Sequence, residues 1–361
     1  MKFPYISFAL LIICCSFTYG QQDLADMTPY ADESPAAEFS DYTGFDFFAS
    51  DEPLEISLSF DIREFVKTKD EPEYFDASLK IITHSNDTLS QRIKLKARGE
   101  MRRDYCSFPP VLLKFKDNKD EDEPIQQGGT IKLVTHCHLS PTFENYVFKE
   151  YLAYKLYNQV TPYSFRTRLA RITYTDVNNP NNTYTSYGFL IENTEEMARR
   201  NDAIVIKNLN VSQQHMNSSE MARLAVFNYM IGNTDWSVQL QHNIKVLKAL
   251  DVNSDKGIPV AYDFDFSGFV NTMYSAPREE LPIKSVTERY YMGTCFGTEE
   301  LTPIIEEFGG KKEELLGTIS SFEFLSDGEK KEAEMYISSF YRQYKYPNAL
   351  INGLNRTCKR Y

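Results

Sequence analysis

This chain of 361 residues has little tryptophan, no excess of positive charge and, past its first twenty residues, no long hydrophobic run. After residue 20 no apolar stretch approaches the roughly 20 residues that a membrane-spanning helix needs, so no transmembrane anchor is expected. Acidic residues outnumber basic ones by 51 to 39, a net charge of −12, which argues against nucleic acid or anionic lipid as the main partner. Internal repeats are missing, which excludes a solenoid. Cysteine is sparse. Cys14 and Cys15 fall in the first twenty residues, leaving Cys106, Cys137, Cys295 and Cys358. An even number of cysteines in an exported chain permits disulfides, and four allow about three connectivities, of which pairing within each half is preferred. The run Thr135-His136-Cys137-His138 holds zinc-ligand residue types. It has no second ligand pair at zinc spacing, and neighbours on a strand point to opposite faces, so a structural or disulfide role is preferred to zinc.

What is present is aromatic: 24 Tyr and 25 Phe against one Trp, enough to build a sizeable core. Residues 1–20 read as a signal peptide. Lys2 precedes an apolar stretch from Ile6 to Phe17, and Thr18-Tyr19-Gly20 supplies a small-residue cleavage site. Export to a periplasmic, cell-surface or extracellular location is expected. Residues 21–52 are acidic, with Pro and Ser and little periodicity, and read as a flexible leader.

From Pro53 the pattern turns to strands. Leu54–Phe60, Ala77–Ile81 and Arg92–Ala97 alternate, and Val111–Phe115 and Thr130–Val134 are further candidates. Lys116–Gln127 reads as a charged loop. Glu144–Asn158 has helical spacing, Thr167–Thr175 and Thr185–Glu192 form a strand pair across the loop Asp176–Thr183, and Glu220–Ile231 is an apolar helix. Helices are expected at Thr298–Phe308, Lys311–Ser321 and Gly328–Gln343, the last capped by Ser326-Asp327. The expected fold is therefore α+β and bilobal, a kinase-like order with a β-rich N-lobe over residues 53–200 and a mainly helical C-lobe over 201–361.

The most informative stretch runs from Ile231 to Gly268. Asp235 and Asn243 precede an apolar run, and a second run, Ile258–Ala261, delivers Asp263 and Asp265. Two short strands around the polar turn Asp251–Gly257 form a hairpin. Asp, Asn and Asp in this order are how phosphoryl-transfer enzymes hold Mg²⁺ on a nucleotide and orient the attacking hydroxyl. Capping and turning would explain a lone Asp-x-Asp, but an ordered set of four beside strand-like runs exceeds that. Protein kinases place the metal-binding Asn about five positions after the catalytic Asp, which here falls on Leu240. The turn Val238–Gln241 must therefore loop out to bring Asn243 into range. His215 and His242 read as solvated, and Asn233 as a brace for the loop.

Several segments, in order, resemble the CotH-type atypical kinases, which are related more distantly to HipA-like kinases. They are Lys96–Glu100 with Ser107-Phe108-Pro109-Pro110 and Leu113–Phe115, then Thr130–Tyr157, then Arg171–Tyr174 with Tyr187–Glu192. Gly232–Asp235, His242-Asn243 and Pro259–Asp265 complete the series, so the resemblance covers roughly residues 54–270. Pro109-Pro110-Val111 stands where the family usually carries lysines. The resemblance implies an ATP-dependent, Mg²⁺-dependent phosphotransferase acting on an unknown protein or small-molecule hydroxyl. On that basis Asp235 orients or deprotonates the acceptor, and Asn243, Asp263 and Asp265 hold metal. Arg98, Gly99 and Glu100 begin a loop over the phosphates, and Lys132 contacts them, paired with Glu150 or Glu144. Glu192 falls near an adenine pocket. The alternatives are a pseudokinase that keeps the fold as a nucleotide-binding or interaction module, and a cell-surface or coat protein using the β-rich lobe.

Overall fold

The computed structural model describes residues 45–359 apart from 84–86, 117–124, 126–128, 208–209 and 252–253. The expected signal peptide, most of the leader, most of the charged loop after Lys116 and two residues of the Asp251–Gly257 turn lie outside the described residues.

Leu54–Phe60 (β1) alternates between buried and half-buried positions, the two-residue period of a strand with one covered face. Similar alternation runs through most of Phe75–Ile82 (β2), Thr88–Ala97 (β3), Val111–Lys114 (β4) and Thr130–Val134 (β5), while Thr167–Asp176 (β6) and Asn179–Ile191 (β7) each carry a run of four buried residues. These strands close into a barrel in the order β1-β2-β3-β4-β5-β7-β6, sealed by a parallel pairing that sets Leu54 against Ala170 and Phe60 against Asp176. The β-rich part is thus a closed barrel rather than a plain sheet lobe. Closure satisfies the edge hydrogen bonds that an open sheet would leave to solvent, and Leu58, Leu79, Leu95, Leu113, Leu133 and Ile172 fill it. The β6–β7 loop is tighter than expected, because β7 already begins at Asn179.

Short helices Ile62–Lys67 (α1) and Glu100–Tyr105 (α2) follow β1 and β3. Pro141–Val160 (α3) starts at Ser140, whose hydroxyl accepts from the Phe143 N–H, with Pro141 in the first turn. This helix is buried round most of its circumference, because it packs on the barrel strands through Phe189 and on the second half of the chain through Phe227 and Phe264. Lys149 pins it to the far side by pairing with Glu329 at 2.5 Å.

Beyond the barrel come Thr194–Arg200 (α4), Ala203–Ile206 (β8) and Ser218–Ile231 (α5). Ile244–Ala249 (β9) and Ile258–Ala261 (β10) form the expected antiparallel hairpin, Ile244 opposite Ala261, and β8 adds a third strand. From residue 262 to 297 the chain forms no helix or strand. Thr298–Gly310 (α6), Lys312–Ser320 (α7), Asp327–Tyr344 (α8) and Pro347–Thr357 (α9) complete it, with Ser326 capping α8. No helix among the described residues is long and apolar enough to cross a membrane.

The disulfides are Cys106–Cys137 and Cys295–Cys358, both within their own half. Cys137 is therefore no zinc ligand. The first ties the end of α2 to the segment after β5, and the second ties the irregular segment to the end of α9. Replacing Cys295 and Cys358 together by Ser should lower stability by about 2–4 kcal/mol in urea unfolding, given the long loop they close. An unchanged midpoint would show that the bridge does not form.

Candidate active site

The site begins where α5 ends. Gly232 takes a left-handed conformation (φ 66°) as its C-cap, which only a residue without a side chain adopts freely. Asn233 then braces the turn: its Nδ2 donates to Asn228 Oδ1 at 2.8 Å, and its Oδ1 accepts from the Asp235 N–H at 3.0 Å. Residues 238–241 do loop out, pinned at the base by reciprocal backbone bonds between Ser237 and His242, with Leu240 exposed at the tip. The long step from Asp235 is absorbed there. Asn243 Nδ2 donates to the Asp235 carbonyl at 2.8 Å and to its Oδ2 at 3.0 Å. His242, expected to be solvated, instead places Nε2 at 3.0 Å from Asp235 Oδ1, and Arg278 approaches the same oxygen at 3.5 Å. The Asp235 carboxylate is thus held on both oxygens.

The hairpin register carries this cluster to Asp263. The Tyr262 N–H donates to the Asn243 carbonyl at 3.1 Å, so Asn243 and Asp263 emerge from the same end of β9–β10. Both residues have positive φ, 52° and 63°. Asn and Asp tolerate the left-handed region better than most side chains, yet such backbone costs energy and concentrates at functional sites. The Asp263 N–H is fixed by the Tyr154 hydroxyl oxygen at 2.9 Å. Tyr154 lies one helical turn after Glu150 on the same face of α3.

Glu150, Asp263 and Asp265 bring carboxylate oxygens within 4.8 Å of one another. Arg102 of α2 joins all three. Its Nη2 donates to both Glu150 oxygens at 3.1 and 3.0 Å and to Asp263 Oδ1 at 3.0 Å, and its Nε donates to Asp265 Oδ2 at 2.9 Å. Tyr274 adds a hydroxyl donor to Asp265 Oδ2 at 3.1 Å. One guanidinium cannot balance three carboxylates, of which Glu150 and Asp265 are buried and Asp263 half-buried. Burial, with Asp265 and Asp263 nearby, raises Glu150 to about 8 against the pull of Arg102. Burial and Asp263 raise Asp265 to about 6. Asp263 goes the other way: burial would raise it, but Arg102, Arg98, Lys132 and His242 hold it below the usual carboxylate range.

Lys132 on β5 faces this cluster from the barrel side, its amine over the rings of Tyr262 (4.9 Å) and Phe165 (5.7 Å). It makes no ion pair among the described residues; the pairing with Glu150 is not formed, because Arg102 has taken that carboxylate. Burial, then Arg98 and Lys245, lower Lys132 to about 7. Gly99 (φ 82°) serves as the N-cap of α2 rather than opening a long loop, and Arg98 is tied through its N–H to the Pro110 carbonyl. Glu144 sits in the first turn of α3, away from the trio. Glu192 is sealed from solvent, with one oxygen on Arg166 at 2.8 Å and the other on Arg200 at 2.9 Å. It braces the chain between β7 and α4, and neither oxygen is left for an adenine ring. Arg102, Arg278 and the tyrosines 154 and 274 were not anticipated.

No protein-family model matches the chain, and the search of curated proteins gave no match. Among solved structures the chain is similar to a Helicobacter pylori proinflammatory kinase, CtkA, at 10% identity and a TM-score of 0.36, over 72% of this chain and 95% of that one. A likeness at that level carries no argument about activity. What the chain itself defines is a mixed α+β protein with a buried, cation-bridged acidic site.

A carboxylic acid raised on folding stabilises the protein fully below its ordinary value and loses that contribution as pH climbs through the folded value. Glu150 therefore withdraws stability between about 4.5 and about 8. In metal-free buffer the melting temperature of the wild type should fall from pH 5 to 8 more steeply than that of Glu150→Gln, by at least ~2–4 °C, the equivalent of about 1 kcal/mol. Parallel curves would refute the assignment.

Proposed function

We propose that the chain is an exported, CotH-like atypical kinase that transfers phosphate from ATP, with Mg²⁺, to a hydroxyl of a protein or small molecule. The observation that carries this reading is the convergence of Asp235, Asn243 and Asp263 at one end of a hairpin facing Lys132 and Arg98. The donor set fits a hard divalent cation, which prefers carboxylate and amide oxygens. Asp263 has one oxygen on Arg102, Asn243 uses its amide nitrogen on Asp235, and the cluster carries more negative charge than Arg102 can offset. Asn243 and Asp263 would hold the ion. Asp265 is a weaker ligand, since its Oδ2 already accepts from Arg102 and Tyr274. When bound, the metal supplies neutralisation of the phosphate oxygens.

Asp235 takes the role of proton acceptor. As the acceptor oxygen bonds to the γ-phosphorus and the bond to the ADP oxygen breaks, the hydroxyl proton passes to the carboxylate that Asn243, His242 and Arg278 orient. Lys132 and Arg98 give the phosphate chain a positive wall. Two disulfides fit the oxidising compartment that export implies. The proposed division is a barrel lobe over 53–200 and a second lobe over 201–361, with the site between α2, α3 and the β9–β10 hairpin.

One observation favours a pseudokinase instead: Glu150 is engaged by Arg102, and Lys132 stands without it. Thermal shift and transfer assays separate the two. Mg²⁺-ATP should raise the melting temperature of the wild type, and Asp263→Ala should lose most of that shift. Asp235→Ala should keep the shift while radiolabel transfer from ATP falls at least ~100-fold, the scale of losing a catalytic base. A shift without transfer to any protein supplied would favour the pseudokinase. No shift at all would exclude both nucleotide-dependent readings.

A further inference from the structure

The guanidinium of Arg102 presents its donors along three directions. Nε is engaged by Asp265, and Nη2 by Glu150 and Asp263. Nη1, which carries the two remaining N–H donors, has no partner among the described residues and is not among the unpartnered atoms closed off from solvent. The side chain as a whole is only 10% exposed. Bonds to three carboxylates from two separate segments, α3 and the stretch after β10, fix the guanidinium plane, and with it the direction of the open edge. Asp263, which receives Nη2, is the same carboxylate that the charges of Arg98, Lys132 and His242 hold low, so Arg102 belongs to the cationic surroundings of that carboxylate.

We propose that Arg102, rather than Lys132, is the main cation gripping the phosphate chain of the nucleotide, presenting Nη1 while Glu150, Asp263 and Asp265 hold the guanidinium in place. The inference rests on the nucleotide-binding reading above. A guanidinium locked on two sides loses little freedom on meeting a phosphate, and its planar donors match phosphate oxygens. Lys132 has no such support: no carboxylate holds its amine, which rests on the rings of Tyr262 and Phe165. Burial and the neighbouring Arg98 and Lys245 also lower its pKa to about 7. The carboxylates thus serve two ends at once, since they orient a phosphate donor and still leave negative charge for a metal.

Calorimetric titration of AMP, ADP and ATP against the wild type, Arg102→Lys and Lys132→Gln tests this, with and without Mg²⁺. In the wild type affinity should rise with each added phosphate. Arg102→Lys keeps the charge but not the fork; it should lose at least ~10-fold in ATP affinity while AMP affinity changes no more than about 2–3-fold. Lys132→Gln should lose about 3-fold or less for ATP. An ATP affinity in Arg102→Lys equal to wild type would overturn the inference and leave the nucleotide reading standing. Equal losses for AMP and ATP would also overturn it, because they mark a general disturbance of the site. Absence of any nucleotide binding by the wild type would remove the reading and the inference together. Should Arg102→Lys not fold, the wild type carries the test. Under ¹⁵N-arginine labelling one protected guanidinium signal should move on addition of ATP and stay in place with AMP; no such signal overturns the proposal.

Discussion

The contact between Arg102 and its three carboxylates is the constraint on which the rest of the site depends. It joins residues 48, 161 and 163 positions apart in sequence, and so ties α2, α3 and the strand end after β10 to a single point. Desolvating four charges is expensive, and such a cluster persists only if the geometry is good and every partner is present. Removing one member of a buried pair costs about 3–5 kcal/mol, mostly as the penalty for the charge left behind. The cluster is therefore weak as a source of net stability but strong as a source of specificity. It allows one arrangement of three chain segments and penalises the alternatives.

The surrounding parts can be read as supports for that arrangement. Cys106–Cys137 closes the end of α2, four residues after Arg102, so the helix cannot drift from the barrel. Lys149 holds the opposite side of α3 to α8 while its neighbour Glu150 faces Arg102. Tyr154 fixes the backbone of Asp263, and the register of β9 with β10 sets Asn243 beside it. The left-handed backbone at Asn243 and Asp263 is the strain these supports maintain. On the other flank Asn233, His242 and Arg278 orient Asp235. In the proposed mechanism the two flanks have different tasks, one for the acceptor proton and one for the phosphates.

How much of this was legible in the sequence varies from residue to residue. Asp235, Asn243 and Asp263 stood out because they are short-range neighbours of a hairpin whose alternation and turn chemistry are local signals. The loop at 238–241 followed from a spacing argument, and the structure contains it. The strands of the barrel were legible one by one, but its closure was not: β1 meets β6 across more than a hundred residues, and nothing local encodes a parallel seam. Arg102 was hidden for a similar reason. It sits beside Arg103 in a six-residue helix too short for a periodic pattern, and its partners lie far along the chain. An argument from charge could have found it, because three acids converging in a core require a cation. Lys132 was the expected candidate, being on the strand before the helix, but the guanidinium from α2 reaches Glu150 instead. The ion pairs of Glu192 were not legible, because Arg166 and Arg200 lie on either side of it in sequence at no regular spacing.

The central claim is that Arg102 stays on its carboxylates while a divalent cation joins Asn243 and Asp263 beside it. A crystal structure of the protein with Mg²⁺ and a non-hydrolysable ATP analogue tests this most directly. The account predicts Arg102 still bonded to Glu150 and Asp265, one Mg²⁺ on Asn243 and Asp263, and a phosphate oxygen at Nη1. A metal ion seated among Glu150, Asp263 and Asp265 with the guanidinium swung out would contradict it.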